Sequence, residues 1–308
     1  MSGTSEKPKQ VKRRSAGQWA VAWRRFKRNK SGLAGVVIVG AFLILMLYGL
    51  VAAPYPPRSD PGAFACLYQG CASLPPFQSW AHPLGTELNG IDVWSEIAHG
   101  AEGDLYVGVA ATAISVVIGI IVGAIAGYRG GVAGALLLGI TQVFFVIPIL
   151  IIILLFAKIF LFLVAAGLGL NLIVIALGLF GWPVIAFISR GEILRIRELE
   201  FVQASKALGA SNSRILFRHI VPNMLSPIIV ISTLAIAGNI LTEVIVSFLG
   251  FGSPNASTWG NLLEDGFENI AHDWWVSFFP GIAVVLCVLG FNLMGDGLSD
   301  ALNPRLRE

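Results

Sequence analysis

The sequence predicts an all-α membrane protein with six transmembrane helices, both termini in the cytoplasm and an N-terminal interfacial helix. Three observations predict this fold. Of the 308 residues, 56% are hydrophobic and 13% are charged, and the mean hydropathy is +0.77, whereas soluble proteins carry about 25% charged residues. Six apolar segments reach the roughly 20 residues that a helix needs to cross a bilayer. The basic residues are concentrated in alternate connecting segments, as expected for an oriented membrane protein.

The six predicted spans are apolar throughout and of similar length. They are residues 32–53, 104–127, 134–157, 166–188, 224–249 and 276–297. The apolar stretch from 104 to 188 contains three of them, and we divide it at 128–131 and near Lys158. We expect Pro148 and Pro183 to kink the helices that contain them.

The charge distribution predicts the orientation. With the N-terminus inside, the inside segments hold 19 of the 21 Lys and Arg residues, and the outside segments hold only Arg58 and Lys158. This bias predicts a multi-pass protein of the cytoplasmic (inner) membrane with both termini in the cytoplasm. The predicted organisation is a basic arm at 1–30, a first span with an external loop at 31–103, a membrane domain at 104–300 that includes a loop at 200–222, and a tail at 301–308.

The basic arm contains an amphipathic pattern. Trp19, Trp23 and Phe26 recur at helical spacing among Lys and Arg residues, which predicts a helix over 17–30 in the lipid headgroup layer and disorder over 1–14. The alternative is a disordered basic tail. The basic region and the apolar run that follows are both longer than those of a signal peptide, so we do not expect cleavage.

The external loop contains two of the three cysteines. Because the outer compartment is oxidising, Cys66 and Cys71 can form a disulfide, and two free thiols are the alternative. Cys287 lies in the last span, where it is most simply a small packing residue. The sequence contains no CxxC pair, and the histidines are scattered, so it predicts no metal site.

The segment between the fourth and fifth spans predicts two helices joined by a tight turn. A stripe of side chains at helical spacing comprises Phe201, Ala204, Ser205 and Leu208. Gly209 suits the C′ position, which needs a positive φ, and Ser211 or Asn212 can cap the next helix. We expect Pro222 to mark the point where the chain turns toward the membrane. An element of this kind can bind in a cleft of a partner protein. The alternative is an ordinary connector between two spans.

Motifs in this segment resemble the EAA loop of ABC importer permeases. The matching residues are Gln203-Ala204-Ser205, Gly209 and Ile220-Val221-Pro222. The departures from the family pattern are Gln203, Ser205, His219 and Val221. Together with other blocks, this loop resembles the C-type subunit of dipeptide and oligopeptide permeases over about residues 17–308. Those blocks are His82-Pro-Leu-Gly-Thr86, Gly90-Ile-Asp-Val93, Gly127-Tyr-Arg-Gly-Gly131, Ser247-Phe-Leu-Gly250, Trp274-Trp275, Phe279-Pro-Gly281 and the run from Asn292 to Pro304.

The resemblance implies a permease subunit of an ATP-driven peptide importer that works by alternating access. Its implied partners are a second homologous permease, two ATPase subunits that bind ATP and Mg, an external solute-binding protein and the lipid bilayer, with no nucleic acid. The implied ATPase-coupling residues are Gln203, Ala204, Ser205, Lys206, Leu208, Gly209 and Ala210. Gly139 and Gln142 stand where the family has Arg and Asp, which puts a family ion pair in the third helix in doubt.

Alternatives to a peptide importer remain at this stage. The same architecture also imports oligosaccharides or metal chelates, and a stand-alone secondary transporter or channel belongs to a different class. The chain contains no G-x-x-x-x-G-K-[ST] motif to hold a nucleotide phosphate, and we find no plausible nucleophile–base constellation in its spans. We therefore expect it to be no enzyme and to bind no cofactor.

Polar residues within the last two spans suggest a translocation path. Asn239, Glu243 and Ser247 are spaced one helical turn apart in the fifth span, and Asn292 and Asp296 are so spaced in the sixth. Charged groups in the bilayer are costly and often functional. Hydrogen bonds between helices that fix the bundle are the alternative.

Overall fold

A computed structural model describes residues 18–64 and 66–302, and these residues are mostly helical. Short helices connect the long ones, and no β-strand occurs in the described part of the chain. The α-helices are α1 (Gln18–Phe26), α2 (Lys30–Ala52), α3 (Val93–Tyr128), α4 (Gly131–Val146), α5 (Ile149–Ile159), α6 (Leu161–Leu163), α7 (Gly169–Phe180), α8 (Trp182–Arg197), α9 (Glu200–Ala207), α10 (Asn212–Ile215), α11 (Val221–Phe248), α12 (Trp259–Glu268) and α13 (Trp274–Leu302).

Among the described residues, five helical stretches are long and apolar enough to cross a membrane, and a bent pair brings the number to as many as six. The bent pair covers the predicted span at 134–157, but it is not one straight helix, because α4 and α5 meet at 78°. Pro148 explains the break. A proline restricts the residue before it to extended backbone, and Ile147 has φ −77° and ψ 122°. The predicted kink at Pro148 is therefore confirmed as a sharp break.

The fourth span is interrupted more mildly. It runs over Ala166–Arg197, and Gly181 separates α7 from α8. Pro183 lies in the first turn of α8, where its missing N–H costs no helical hydrogen bond. The interruption thus coincides with the predicted proline position.

Helix α3 is longer than the predicted second span. It begins at Val93 rather than at 104 and contains 36 residues, or about 54 Å of helix, which exceeds a hydrocarbon core of about 30 Å. Its N-cap is Asp92, whose side chain accepts a hydrogen bond from the Ser95 N–H at 2.8 Å. The loop between α2 and α3 is correspondingly shorter than expected.

Small residues allow the long helices to pack closely. A Cβ atom added to Gly35 of α2 would lie 2.4 Å from the Met294 nitrogen of α13, and one added to Gly123 of α3 would lie 2.5 Å from the Ser189 Cβ of α8. Such contacts favour association of helices in a membrane, where van der Waals packing replaces the hydrophobic effect.

Helix α1 packs against the end of the bundle. Phe26 is buried and lies beside Gly297 of α13, whereas Trp23 is 58% exposed with the Lys27 ammonium 5.1 Å from its ring centroid. Asn29 caps α2 and donates a hydrogen bond to Asp300 at 2.9 Å. The predicted disorder at 1–14 lies outside the described residues.

Candidate functional site

The turn around Gly209 lies between α9 and α10. Gly209 has φ +82°, and its N–H donates to the Lys206 carbonyl at 3.0 Å. The N–H of Ala210 donates to the Ser205 carbonyl at 3.1 Å. These two bonds form a Schellman motif, which favours glycine at C′ because glycine adopts positive φ without strain. The prediction of Gly209 as the C′ residue is confirmed.

The segment after the turn differs from the prediction. Ser211 is the N-cap, and its hydroxyl accepts from the Arg214 N–H. The helix then continues without a break from Asn212 to Phe248, so Pro222 does not mark a turn toward the membrane. A π-helical turn at Leu216–Ile220 ends two positions before Pro222. This wider turn accommodates a proline that lacks the N–H of a regular helical bond.

Buried apolar side chains attach this α8–α11 loop (residues 198–220) to the bundle. Val202, Ile215 and Ile220 are each at most 3% exposed. They pack in one cluster with Ile193 and Ile196 of α8 and Met224 of α11. Burial of a large aliphatic side chain contributes about 1.5–3 kcal/mol, so the loop is held as a rigid extension of these helices.

Hydrogen bonds add to this attachment. Gln203 donates to the Arg197 carbonyl at 3.0 Å. The Tyr128 hydroxyl, at the end of α3, donates to the Asn212 side chain at 3.0 Å. The loop is therefore connected to three of the long helices, α3, α8 and α11.

The outer side of the loop exposes apolar residues. Phe201, Leu208 and Phe217 are 45%, 88% and 68% exposed. A Cβ atom added to Gly209 would meet nothing within 4 Å. The remaining predicted coupling residues are exposed or half-buried: Gln203, Ala204, Ser205, Lys206 and Ala210. Several exposed large apolar residues on one loop are typical of an interaction surface.

The polar residues of the fifth span have partners within the chain. Asn239 donates to the Thr112 hydroxyl of α3 at 2.9 Å. Glu243 is fully buried and accepts from the Ser247 hydroxyl at 2.6 Å. Its carboxyl group also interacts with that of Asp104 on α3. The contacts of Asn239 and Glu243 with α3 are those of the interhelical alternative, whereas the Glu243–Ser247 bond lies within α11. A translocation role for Asn239, Glu243 and Ser247 stays a prediction.

The other polar positions in the membrane differ in burial. On α13, Asn292 is half-buried and Asp296 is exposed, and a path role for Asn292 also stays a prediction. Sequence reasoning missed Asp104, a fully buried acid that accepts from the Trp259 N–H at 3.0 Å. The signal for it was its place as an acidic residue at the first position of an apolar run.

The α2–α3 loop (residues 53–92) contains a buried ion cluster that the sequence analysis did not identify. Arg58 is 11% exposed and contacts three carboxylates, those of Glu87, Glu96 and Asp265. Burial lowers the pKa of Arg58, but the three carboxylates outweigh this effect and raise it. Burial raises the pKa of Glu87 to about 8, and Arg58 offsets only part of that rise. The signal for the cluster was a single Arg in an otherwise acidic segment.

The same loop joins Cys66 to Cys71 in a disulfide, whereas Cys287 is free and buried. The Cys66 sulfur lies 3.3 Å from His82 Nε2. The two sulfurs and this nitrogen all lie within 4.8 Å of one another. Sulfurs joined to each other are not the thiolates that a metal requires.

Long apolar helices joined by polar loops define the class of the molecule, an integral membrane protein of several spans. Residues 119–308 match the family described as binding-protein-dependent transport system inner membrane component, and the chain belongs to this family. Residues 17–76 match the N-terminal transmembrane domain of oligopeptide transport permease C. The chain is therefore a multi-pass protein of the inner membrane.

Curated relatives extend along the whole chain. It is 34% identical to the oligopeptide transport system permease protein OppC of Bacillus subtilis (strain 168), over 100% of this chain and 95% of the relative. It is 39% identical to the dipeptide transport system permease protein DppC of the same organism, over 96% and 89%. The OppC of Haemophilus influenzae is 34% identical over 94% and 89%. These matches confirm the resemblance to dipeptide and oligopeptide permeases.

Proposed function

We propose that the chain is one transmembrane subunit of an ATP-driven importer of peptides. Full-length similarity to oligopeptide and dipeptide permeases supports the peptide class. It favours peptides over oligosaccharides or metal chelates as the cargo. In this proposal a second homologous permease completes the pathway, two ATPase subunits bind ATP and Mg, and an external binding protein delivers the peptide.

The α8–α11 loop is the site of coupling to the ATPases. The observation that carries this role is a rigid turn with an exposed apolar side. Leu208 is 88% exposed and Gly209 faces open space, while Ile215 and Ile220 are buried against the bundle. A force applied to the exposed side is therefore transmitted to α8 and α11 rather than absorbed by the loop. Gln203, Ala204, Ser205, Lys206 and Ala210 complete the docking segment.

The orientation follows from the coupling role and from the distribution of charge. The ATPases are cytoplasmic, so the loop and both termini lie in the cytoplasm, in agreement with the positive-inside bias. Helix α1 then lies at the inner lipid surface with Trp23 in the headgroup layer and Phe26 against α13. The α2–α3 loop faces outward, where the binding protein docks.

Alternating access uses the breaks in the spans. The joint between α4 and α5 at Pro148 and the joint at Gly181 interrupt two helices within the membrane. Irregular backbone is tolerated at that depth only where it is buried in protein or lines a water-filled cavity. A crevice lined by Phe144, Pro148, Phe180 and Pro183 lies at these joints. This crevice and the polar residues of α11 and α13 border the path along which the peptide passes.

Site-specific cross-linking tests the coupling role. We expect Leu208→Cys, in the assembled complex, to form a cross-link with an ATPase subunit when a bifunctional thiol reagent is added. Val132→Cys is a matched control, because Val132 is also 88% exposed and lies at the start of α4, on the same predicted side. The proposal is wrong if Leu208→Cys yields no ATPase adduct, or if it reacts with a membrane-impermeant thiol reagent added outside intact cells.

A further inference from the structure

The disulfide of the α2–α3 loop lies in a polar cluster that the transport function does not use. We define the disulfide cluster as Cys66, Cys71, His82 and Asp92. His82 Nε2 is 3.3 Å from the Cys66 sulfur, and Nδ1 is 3.0 Å from an Asp92 carboxylate oxygen. Cys66, His82 and Asp92 are 8%, 5% and 2% exposed, whereas Cys71 is half-buried. The two sulfurs thus have different surroundings.

We propose that the disulfide cluster is a thiol–disulfide exchange site at which an external dithiol attacks Cys71 and releases Cys66 as a thiolate. Access selects Cys71 as the attacked sulfur, because Cys66 is nearly covered and the Tyr55 ring stacks on His82 at 4.8 Å beside it. His82 selects Cys66 as the leaving group. A thiolate is stabilised beside an imidazolium, and a stabilised leaving thiolate departs faster.

The exchange balances in atoms and electrons. The thiolate of the dithiol forms a bond to Cys71 Sγ while the bond between the two cysteine sulfurs breaks, and the electron pair leaves on Cys66. His82, held at Nδ1 by Asp92, takes up the proton that the first thiol of the dithiol releases and passes it to Cys66, which becomes a thiol. The second thiol of the dithiol then displaces Cys71. The dithiol is oxidised by two electrons to a disulfide, and its two protons end on the two cysteines.

The surrounding backbone keeps the sulfurs close after reduction. The Cys71 N–H donates to the Cys66 carbonyl at 3.1 Å, and the Thr86 hydroxyl donates to the Cys71 carbonyl. Gly90 packs tightly against the segment between the cysteines, since a Cβ there would lie 2.6 Å from the Leu67 nitrogen. The exchange is therefore reversible. It also adjoins the membrane bundle, because the other oxygen of Asp92 caps α3.

Adduct mapping on the full-length protein in nanodiscs tests which sulfur is attacked. The protein is treated with limiting glutathione, quenched in acid, and the site of the mixed disulfide is read by peptide mass spectrometry. We expect the adduct on Cys71 in about tenfold excess over Cys66, because access and the leaving group both favour it. Equal adducts, adducts mainly on Cys66, or no adduct until the protein is unfolded would overturn the proposal.

A kinetic comparison tests the role of His82. We expect His82→Gln to slow reduction by dithiothreitol about tenfold at neutral pH, since the departing Cys66 thiolate loses its partner. His272→Gln is the control, because His272 is exposed and outside the cluster, and it should react like the native protein. Native rates in His82→Gln would overturn the assignment of Cys66 as the assisted leaving group. The adduct map requires no variant, so it decides the question if His82→Gln fails to fold.

Discussion

The α8–α11 loop and the α2–α3 loop lie at opposite ends of α3 and are held in place by different interactions. At the C-terminal end of α3, Tyr128 bonds to Asn212, and the loop is anchored mainly by aliphatic side chains. At the N-terminal end, Asp92 caps the helix, and the loop is held by an ion cluster around Arg58 and by a disulfide. One helix thus connects an apolar attachment to an ionic one.

The two loops differ in what they bury rather than in what they expose. Both leave large side chains open to contact, among them Leu208 in the α8–α11 loop and Trp80 in the α2–α3 loop. The α8–α11 loop buries aliphatic side chains, whereas the α2–α3 loop buries His82, Glu87 and Asp92. The first arrangement suits a loop that a partner protein binds. The residues that attach this loop to the bundle are not those that the partner would cover, so binding leaves the attachment intact. The second suits a compact cap on the bundle. This difference implies that variants of the exposed residues in the first loop impair coupling, and that variants of the buried polar residues in the second impair stability.

The largest expected effect is the loss of transport in Gly209→Arg. An L-residue at φ +82° is strained by about 1–2 kcal/mol, and the Arg side chain fills the space that the partner approaches. We expect the protein to remain in the membrane, with ATP-dependent peptide uptake abolished and uncoupled from ATP hydrolysis. Uptake into proteoliposomes that contain the complete complex measures this effect.

A matched control separates strain from docking. Gly209→Ala imposes the same strain of an L-residue at φ +82°, but it adds only a methyl group, which meets nothing within 4 Å. We expect it to retain most of the uptake. Native uptake in Gly209→Arg with an intact complex, or equal loss in both variants, would contradict the coupling role of the Gly209 turn.

The second prediction concerns the ionic end of α3. Arg58→Ala leaves Glu87, Glu96 and Asp265 together without a cation, and removal of one partner from a buried ion pair typically costs about 3–5 kcal/mol. We expect a marked fall in the Tm of the purified subunit in detergent. Arg195→Ala is the control, because Arg195 forms an exposed pair with Glu192, and such pairs contribute about 0–1 kcal/mol. An equal Tm change in the two variants would show that the Arg58 cluster does not stabilise the loop.

The features that the sequence predicts well are those set by neighbouring residues. A glycine one position beyond a helical stripe is sufficient to predict the Gly209 turn, because the φ requirement is local. Apolar length and composition predict the spans in the same way, and a proline within a span predicts the break at Pro148. The continuous helix through Pro222 was not predictable, since the π-helical turn before it depends on packing against α8.

The features that it misses are contacts between residues far apart in the chain. Arg58 meets Asp265, and Asp104 meets Glu243, only when α3, α11 and α12 are assembled. Glu243 was identified as a polar residue in a span, but its partner was not. Burial of these groups depends on the fold rather than on the local sequence. The sequence therefore shows a charged residue within an apolar segment, but not the residue that it contacts.

The smallest expected effect is a pH dependence confined to the α2–α3 loop. The pKa of Glu87 is about 8 in the folded protein and 4.5 for a glutamate free of these surroundings, so the folded state binds more protons between these values. Stability therefore falls as pH rises from about 4.5 to about 8 and levels off above that. We therefore expect the Tm to fall as the pH rises through this range. Glu87→Gln, which removes the ionisable group and keeps its shape, should flatten the Tm profile across this range. An unchanged slope in Glu87→Gln would show that another group controls it, and a Tm that rises with pH would mean that Arg58 fully compensates the buried carboxylate.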